Sequence, residues 1–311
     1  MSMRIGSRWC AVGCAVLSAA FSLIKSANAD DGLTLTKVPA ATASAEPENS
    51  VMLDTRWWSR RVTLMPDGLL WKPPLANPQE PRSFLKIQSL EMDDLSVNDA
   101  GIGGTFPVLR VSKPETPDQG FQADVFAAVF SRFVDIRKFA AVDYRFGVPF
   151  TYSHGPWSFK VAYEHTSCHL GDEFMAEHNL ESKDSTRNEV TFGIAYYPVE
   201  TIRVYGVFGY WAQYSTFVDG ASPQRYQCGV EWSQPGPTGV WGKPYAALDL
   251  ELRGDEDFTP NVTAQVGWQW TGAHSRPGTR LALEYYDGRS PFGQFIDQHE
   301  SWLALGVFVD F

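Results

Sequence analysis

From about residue 83 onward the chain alternates between apolar and polar positions. In NVTAQVGWQWT, Val262, Ala264, Val266, Trp268 and Trp270 fall on one side, and Asn261, Thr263, Gln265, Gly267 and Gln269 on the other. RYQCGVEWS sets Tyr226, Cys228, Val230 and Trp232 against Arg225, Gln227, Gly229 and Glu231. NEVTFGIAYY and YAALDLELR divide the same way. A two-residue side-chain period separates the faces like this only in extended chain. Such runs are predicted over 83–90, 100–112, 120–131, 139–152, 156–168, 187–198, 201–213, 224–233, 243–253, 260–271, 279–287 and 301–311, divided by turn residues. Most are near the roughly 9–11 residues that a tilted strand needs to cross a bilayer. The fold class expected is therefore all-β, a single antiparallel up-and-down transmembrane β-barrel of about 12 strands.

Periodicity alone does not say which face looks outward, because a soluble barrel with an apolar interior alternates too. Three features favour the membrane version. The polar face is heavily charged, with Asp143, Arg145, Lys160, Glu164, Glu231, Asp249, Glu251, Arg253 and Glu284. Trp and Tyr gather near strand ends, as interface girdles do. The chain closes on WLALGVFVDF, where Leu303, Leu305, Val307, Val309 and Phe311 share a face. That ending resembles the last strand of outer-membrane barrels, in which a terminal aromatic engages the barrel assembly machinery; Phe311 is the residue expected to do so here. With both termini periplasmic, the longer connections fall outside and the short turns SHGP and PVE fall inside.

Upstream of residue 83 the pattern changes. MSMRIGSR is a basic start, WCAVGCAVLSAAFSLI an apolar stretch and ANA a small-residue cleavage site, so residues 1–29 read as a signal peptide. A lipoprotein reading would cut at Cys14, but its apolar stretch is too short and Ala11 stands where a larger aliphatic is expected. Residues 30–82 read as a linker and an irregular periplasmic lead-in segment, with Pro-Asp-Gly and Pro-Pro and no clean period. The barrel domain is expected over 83–311. The net charge of −10 with dispersed Lys and Arg argues against a nucleic-acid partner. The partners expected are instead outer-membrane lipids, at an outer-membrane location. Only Cys168 and Cys228 remain after the leader, so no disulfide framework is implied.

Candidate chemistry gathers in VAYEHTSCHLGDEF. The face of Trp157, Phe159, Val161 and Tyr163 continues through His165, Ser167 and His169 as the strand leaves the membrane. The neighbouring strand returns through Asn188 on the same side. A base, a hydroxyl and an orienting amide are the minimal set for acyl transfer, and cross-strand pairs bring such groups within reach. His165, Ser167 and Asn188 are the candidate catalytic residues. The arrangement is similar to that of outer-membrane phospholipase A and of lipid A deacylases, which carry a His-x-Ser pair on the barrel's outer wall. Those enzymes continue with Asn after the Ser, whereas this chain reads Cys168-His169. The competing reading is that a strand emerging from lipid simply turns polar at headgroup level. Asp172 and Glu173 could hold calcium with carbonyl oxygens. His165 with His169 offers only two ligands to a transition metal. In the lumen, opposite charges would either pair and close the barrel or line a narrow solute passage.

The motifs LMPDGLLWKPPLANPQEPR, DYRFGVPFTYSHGPWSFKVAYEHTSCHLGDEF, GWQW, EYYDGRSPFGQFIDQHE and the final DF occur in order. Together they resemble a bacterial domain-of-unknown-function family, number twelve hundred and seven. The resemblance runs from about residue 56 to the end and implies an exported protein without an established activity. It names no catalytic residue. From the residues themselves, a structural envelope protein or narrow passage leads, with a lipid acyl hydrolase as the alternative.

Overall fold

The computed structural model describes residues 50–55, 58–92, 95–135, 137–182, 185–215, 220–234, 238–270 and 278–310, with side chains from residue 61 onward. The expected signal peptide, most of the linker and Phe311 lie outside the described residues.

Fourteen strands follow in order: β1 (Ser50–Thr55), β2 (Trp58–Leu64), β3 (Ser83–Met92), β4 (Leu95–Lys113), β5 (Thr116–Val134), β6 (Lys138–His154), β7 (Trp157–Leu170), β8 (Ser185–Val199), β9 (Ile202–Ser215), β10 (Gln224–Ser233), β11 (Lys243–Arg253), β12 (Asn261–Trp270), β13 (Gly278–Arg289) and β14 (His299–Asp310). β3 to β14 pair antiparallel with their sequence neighbours, and β14 returns to β3. The result is a closed 12-stranded barrel, which leaves no free edge in its wall. Among the described residues one α-helix, α1 (Asp172–His178), is found, between β7 and β8. Its end of the barrel is called upper below; the tight-turn end, where β1 and β2 attach, is called lower.

The alternation resolves as expected. Leu85, Ile87, Phe146, Phe150, Val161, Phe192, Leu283 and Leu305 project outward and are exposed. Lys86, Asp99, Arg132, Asp143, Glu164, Arg203, Arg225, Arg280, Glu284 and Glu300 point inward and are buried. An apolar exterior around an ionised interior is the architecture of an outer-membrane barrel, since hydrocarbon accepts the first and excludes the second.

Two departures from the sequence expectation have plain causes. β4 and β5 each run 19 residues, longer than the periodicity marks. Their ladder continues past the outer apolar belt, where the inner face itself turns apolar at Val97 and Val134 and the pattern fades. Residues 50–55 and 58–64, expected to be irregular, pair as the strands β1 and β2, and β2 pairs with β4 from Arg61↔Ser112 to Leu64↔Leu109. β3 leaves that stretch of β4 unpaired, and an open row of N–H and C=O groups is what a short strand covers.

Residues 66–82 are irregular, yet they lie inside the barrel. Arg110 donates to the carbonyls of Asp67 and Gly68 at 3.0 and 2.7 Å. Leu75 N–H donates to Glu231 at 2.7 Å, and Arg145 to Gln79 O at 2.6 Å. Gln79 also donates to Pro291 O, in the connection after β13. The chain then rejoins the wall at Arg82, which pairs with Asp310 at 3.3 Å. A segment rich in Pro and poor in paired backbone groups is held here by wall side chains, which satisfies carbonyls that would otherwise be orphaned. From above, the β13–β14 connection folds inward: Gly293 N–H donates to Asp143 at 3.1 Å and Phe292 lies 4.4 Å under the Arg132 guanidinium. Phe174 of α1 packs edge-on against Phe295 at 5.9 Å.

Many of the lumen charges pair. Arg132 joins Asp99 at 2.9 Å and Glu300 at 2.5 Å; Lys86 joins Glu284 at 3.0 Å; Arg225 bridges Glu189 and Glu251 at 2.8 and 3.0 Å. Gly209 makes one of these possible, because a Cβ there would meet Glu189 Oε1 at 1.6 Å. Two cavities between plug and wall hold about 20 and 10 Å³, room for a water molecule or so.

Candidate functional site

The outer wall near the upper end of β7 carries the cluster that the sequence singled out. Register sets it: His165 lies opposite Asn188 of β8 and Phe146 of β6, while Ser167 lies opposite Thr186 and Tyr144. All three candidates occupy the outward face, half-buried among neighbouring side chains. The residues alternating with them on β7, Glu164, Thr166 and Cys168, are buried on the inner face.

His165 Nδ1 and Asn188 Oδ1 are 2.7 Å apart. The amide is held from its other end too, as Asn188 Nδ2 donates to Gln213 Oε1 of β9 at 3.3 Å. With the amide nitrogen so engaged, its oxygen faces the ring and accepts from Nδ1–H. In the neutral imidazole Nε2 is then the nitrogen with a free lone pair, the form a general base requires. The ring also lies against Phe146, centroids 4.7 Å apart, which fixes its plane. Gln213 is the member that sequence reasoning missed: strand parity groups it with the buried Trp211, and a register shift opposite Asn188 and Glu189 turns it outward.

Ser167 sits two residues above His165 on this face, and among the described residues no hydrogen bond joins the two. His169 is exposed, its ring edge-on to Tyr144 at 5.9 Å. The arrangement brings imidazole and amide together and places the hydroxyl alongside.

Asp172 and Glu173 lie in the first turn of α1, both exposed. Among the described residues no group of three or more His, Cys, Asp or Glu could hold a metal ion. Two solvated carboxylates do not make the cage of six or more oxygens that calcium takes, so no chemical step is routed through that ion. Glu177 of α1 pairs with Lys138 of β6 at 2.8 Å. The exposed hydrogen bond, reinforced by the opposite charge, holds the Glu177 carboxyl below and the Lys138 ammonium above their ordinary ranges.

Two comparisons with known proteins bear on these observations. The family described as a protein of unknown function, DUF1207, matches residues 24–311, and the chain belongs to it. No curated protein matches the chain in sequence. Among solved structures, outer membrane phospholipase A from Escherichia coli is similar at a TM-score of 0.50 and 11% identity, over 75% of this chain and 93% of that one. An outer membrane phospholipase dimer with bound calcium from Salmonella typhi gives 0.49 and 12%, over 75% and 93%. KdgM porin gives 0.41 and 9%, over 74% and 98%. At these identities the likeness concerns the fold.

Proposed function

We propose that this member of a family without an established activity is a lipid acyl hydrolase of the outer membrane, working on its outer wall. The single observation that carries the reading is the His165–Asn188 hydrogen bond of 2.7 Å on a lipid-facing surface, with Ser167 two residues along the same face. In this reading the upper end faces the cell exterior, the termini are periplasmic, and acyl chains reach the site sideways from the outer leaflet. The fold is shared with an outer membrane phospholipase A.

The chemistry follows from the groups present. Ser167 Oγ attacks the ester carbonyl carbon while His165 Nε2 takes its proton. The ester C–O bond breaks and the proton passes to the leaving alcohol, giving an acyl-serine. Water, deprotonated by the same nitrogen, then releases the fatty acid and restores Ser167. Asn188 holds the tautomer throughout. For attack, Ser167 Oγ must rotate into hydrogen-bond reach of Nε2, a contact that tightens with substrate bound.

The test is turnover of phospholipid in mixed micelles by the purified barrel, with calcium present, beside Ser167→Ala. Full loss of turnover in the variant supports the reading. An inactive unmutated barrel rejects it and leaves a second one, a closed structural barrel, which the plug and the luminal ion pairs favour over a solute passage. That second reading expects a silent planar-bilayer trace.

A further inference from the structure

Three of the buried luminal arginines share one habit. Arg132 sets Nε and Nη2 against Asp99 at 2.9 and 3.1 Å. Arg280 does the same with Asp310 at 2.6 and 3.3 Å, and Arg253 with Asp255 at 3.1 and 2.8 Å. That edge presents two parallel N–H bonds, the fork that a carboxylate or phosphate accepts. Arg203 is as deeply placed, at 3% exposure, yet its Nε and Nη2 have no partner among the described residues. Its Nη1 alone is engaged, donating to Glu231 at 3.1 Å. The guanidinium plane is fixed meanwhile, 5.0 Å from the Trp71 ring and 4.8 Å from Tyr205. Trp71 Nε1 beside it is another buried donor without a partner.

The surrounding charge points the same way. Arg203 is the second residue of β9 and Lys243 the first of β11, both on the inward parity at the lower mouth; Lys72 follows Trp71 in the plug. Three cations share this corner with one carboxylate, Glu231, which also accepts from Leu75 N–H. Desolvation, then the like charges of Arg203 and Lys243, hold the Lys72 ammonium below the usual lysine range, with Glu231 opposing. In a chain of net charge −10, a cationic corner with a rigid empty fork is a conspicuous reversal. An isolated buried guanidinium edge costs free energy unless something accepts its bonds. The local excess is two positive charges, which matches a phosphate dianion better than a single carboxylate.

We propose that Arg203, Lys72 and Lys243 form a binding site for a phosphate dianion at the lower mouth of the lumen, at the opposite end from the outer-wall cluster. Arg203 supplies the bidentate edge, and the two lysines supply charge and close over the remaining oxygens. The ligand is inorganic phosphate or a phosphomonoester headgroup. The site is independent of any activity at Ser167.

Isothermal titration of the full chain, folded in detergent, with inorganic phosphate tests this. Saturable one-to-one binding is expected, with acetate weaker by about tenfold or more. Arg203→Lys keeps the charge and loses the fork, so affinity should fall by more than about tenfold; Lys243→Met, away from the Glu231 pair, should lower it by about tenfold. Micelles doped with phosphatidic acid separate the sources: displacement of phosphate identifies a headgroup ligand, and undiminished phosphate binding a soluble one. Absence of saturable phosphate binding, acetate binding as tightly, or an unaltered affinity in a folded Arg203→Lys or Lys243→Met variant would each overturn the proposal.

Discussion

The lumen and the outer wall are written in the same alternation and treat polar groups oppositely. Inside, Arg132 is held between Asp99 and Glu300, and Lys86 lies against Glu284. Charge at these positions is cancelled, and the plug occupies the space left. Outside, on a wall otherwise lined by Phe146, Val161, Tyr163 and Phe192, a hydroxyl, an imidazole and two amides face outward with only partial satisfaction. Polar atoms are expensive at lipid depth and tend to mark function. Paired polarity inside this barrel therefore closes a structure, whereas the outward cluster is what the proposed hydrolysis would use.

The largest effect expected belongs to the lumen. Arg132→Met leaves Asp99 and Glu300 buried without their shared cation, and removing one member of such a set costs about 3–5 kcal/mol. Denaturant unfolding in detergent should show it directly. If the variant unfolds like the parent, the luminal pairs are not what holds the wall together, and the contrast fails on that side.

On the outer side, His165→Ala should lower kcat by about 10²–10⁴-fold, the usual worth of a positioned general base, with the unfolding midpoint unchanged. A fall in stability matching the fall in rate would instead make His165 a packing residue against Phe146.

Between the two regions stands the connection after β11. Glu256 is buried there, bonded to Asn261 at 2.5 Å and to Arg253 at 3.3 Å. Burial pushes its carboxyl up to about 7, Asp255 adds to the rise, and Arg253 opposes it. A raised carboxyl favours the fold while it stays protonated. Its contribution is therefore full below the ordinary value of 4.5, declines as pH rises to about 7 and stays lost above it. Glu256→Gln should flatten that slope and leave the variant more stable than the parent at pH 8, by up to a few kcal/mol. Unfolding midpoints across this window check it; a parent whose stability rises from pH 5 to 7 through this residue contradicts it.

How much of this could be read beforehand depends on which groups repeat. The barrel was legible because every strand restates one rule: Val262 to Trp270 and Leu303 to Val309 obey the same period, and hydrocarbon enforces it. The outward placement of His165, Ser167 and Asn188 followed from parity alone. The plug was not legible. LLWKPPLANPQEPR has no period, and its position is set by long-range bonds from Arg110, Arg145 and Glu231, which no local pattern encodes. α1 was missed although GDEFMAEHN carries its signals, acids in the first turn and an Asn at the left-handed C-cap with φ 49°. Seven residues are too few for periodicity to outweigh the look of a polar loop. The empty edge of Arg203 was invisible for another reason: a missing partner is a property of three dimensions.

The smallest effect is the one that sharpens the comparison most. Asn188→Ala deletes a single neutral hydrogen-bond partner, worth about 1 kcal/mol in a typical fold. Were Asn188 only wall polarity, its loss from a lipid-facing surface would cost little and could even stabilise, since the amide is itself unwelcome there. If it orients the imidazole, the ring reverts to a mixture of tautomers and a fraction of molecules carries its proton on the wrong nitrogen. kcat should then fall by about tenfold while KM holds, because the acyl chains still meet the same apolar wall. Gln213→Ala, which frees the far end of the amide, should show a weaker form of the same kcat loss. Equal losses in kcat and affinity for both variants would mean that the two amides shape the surface rather than the base.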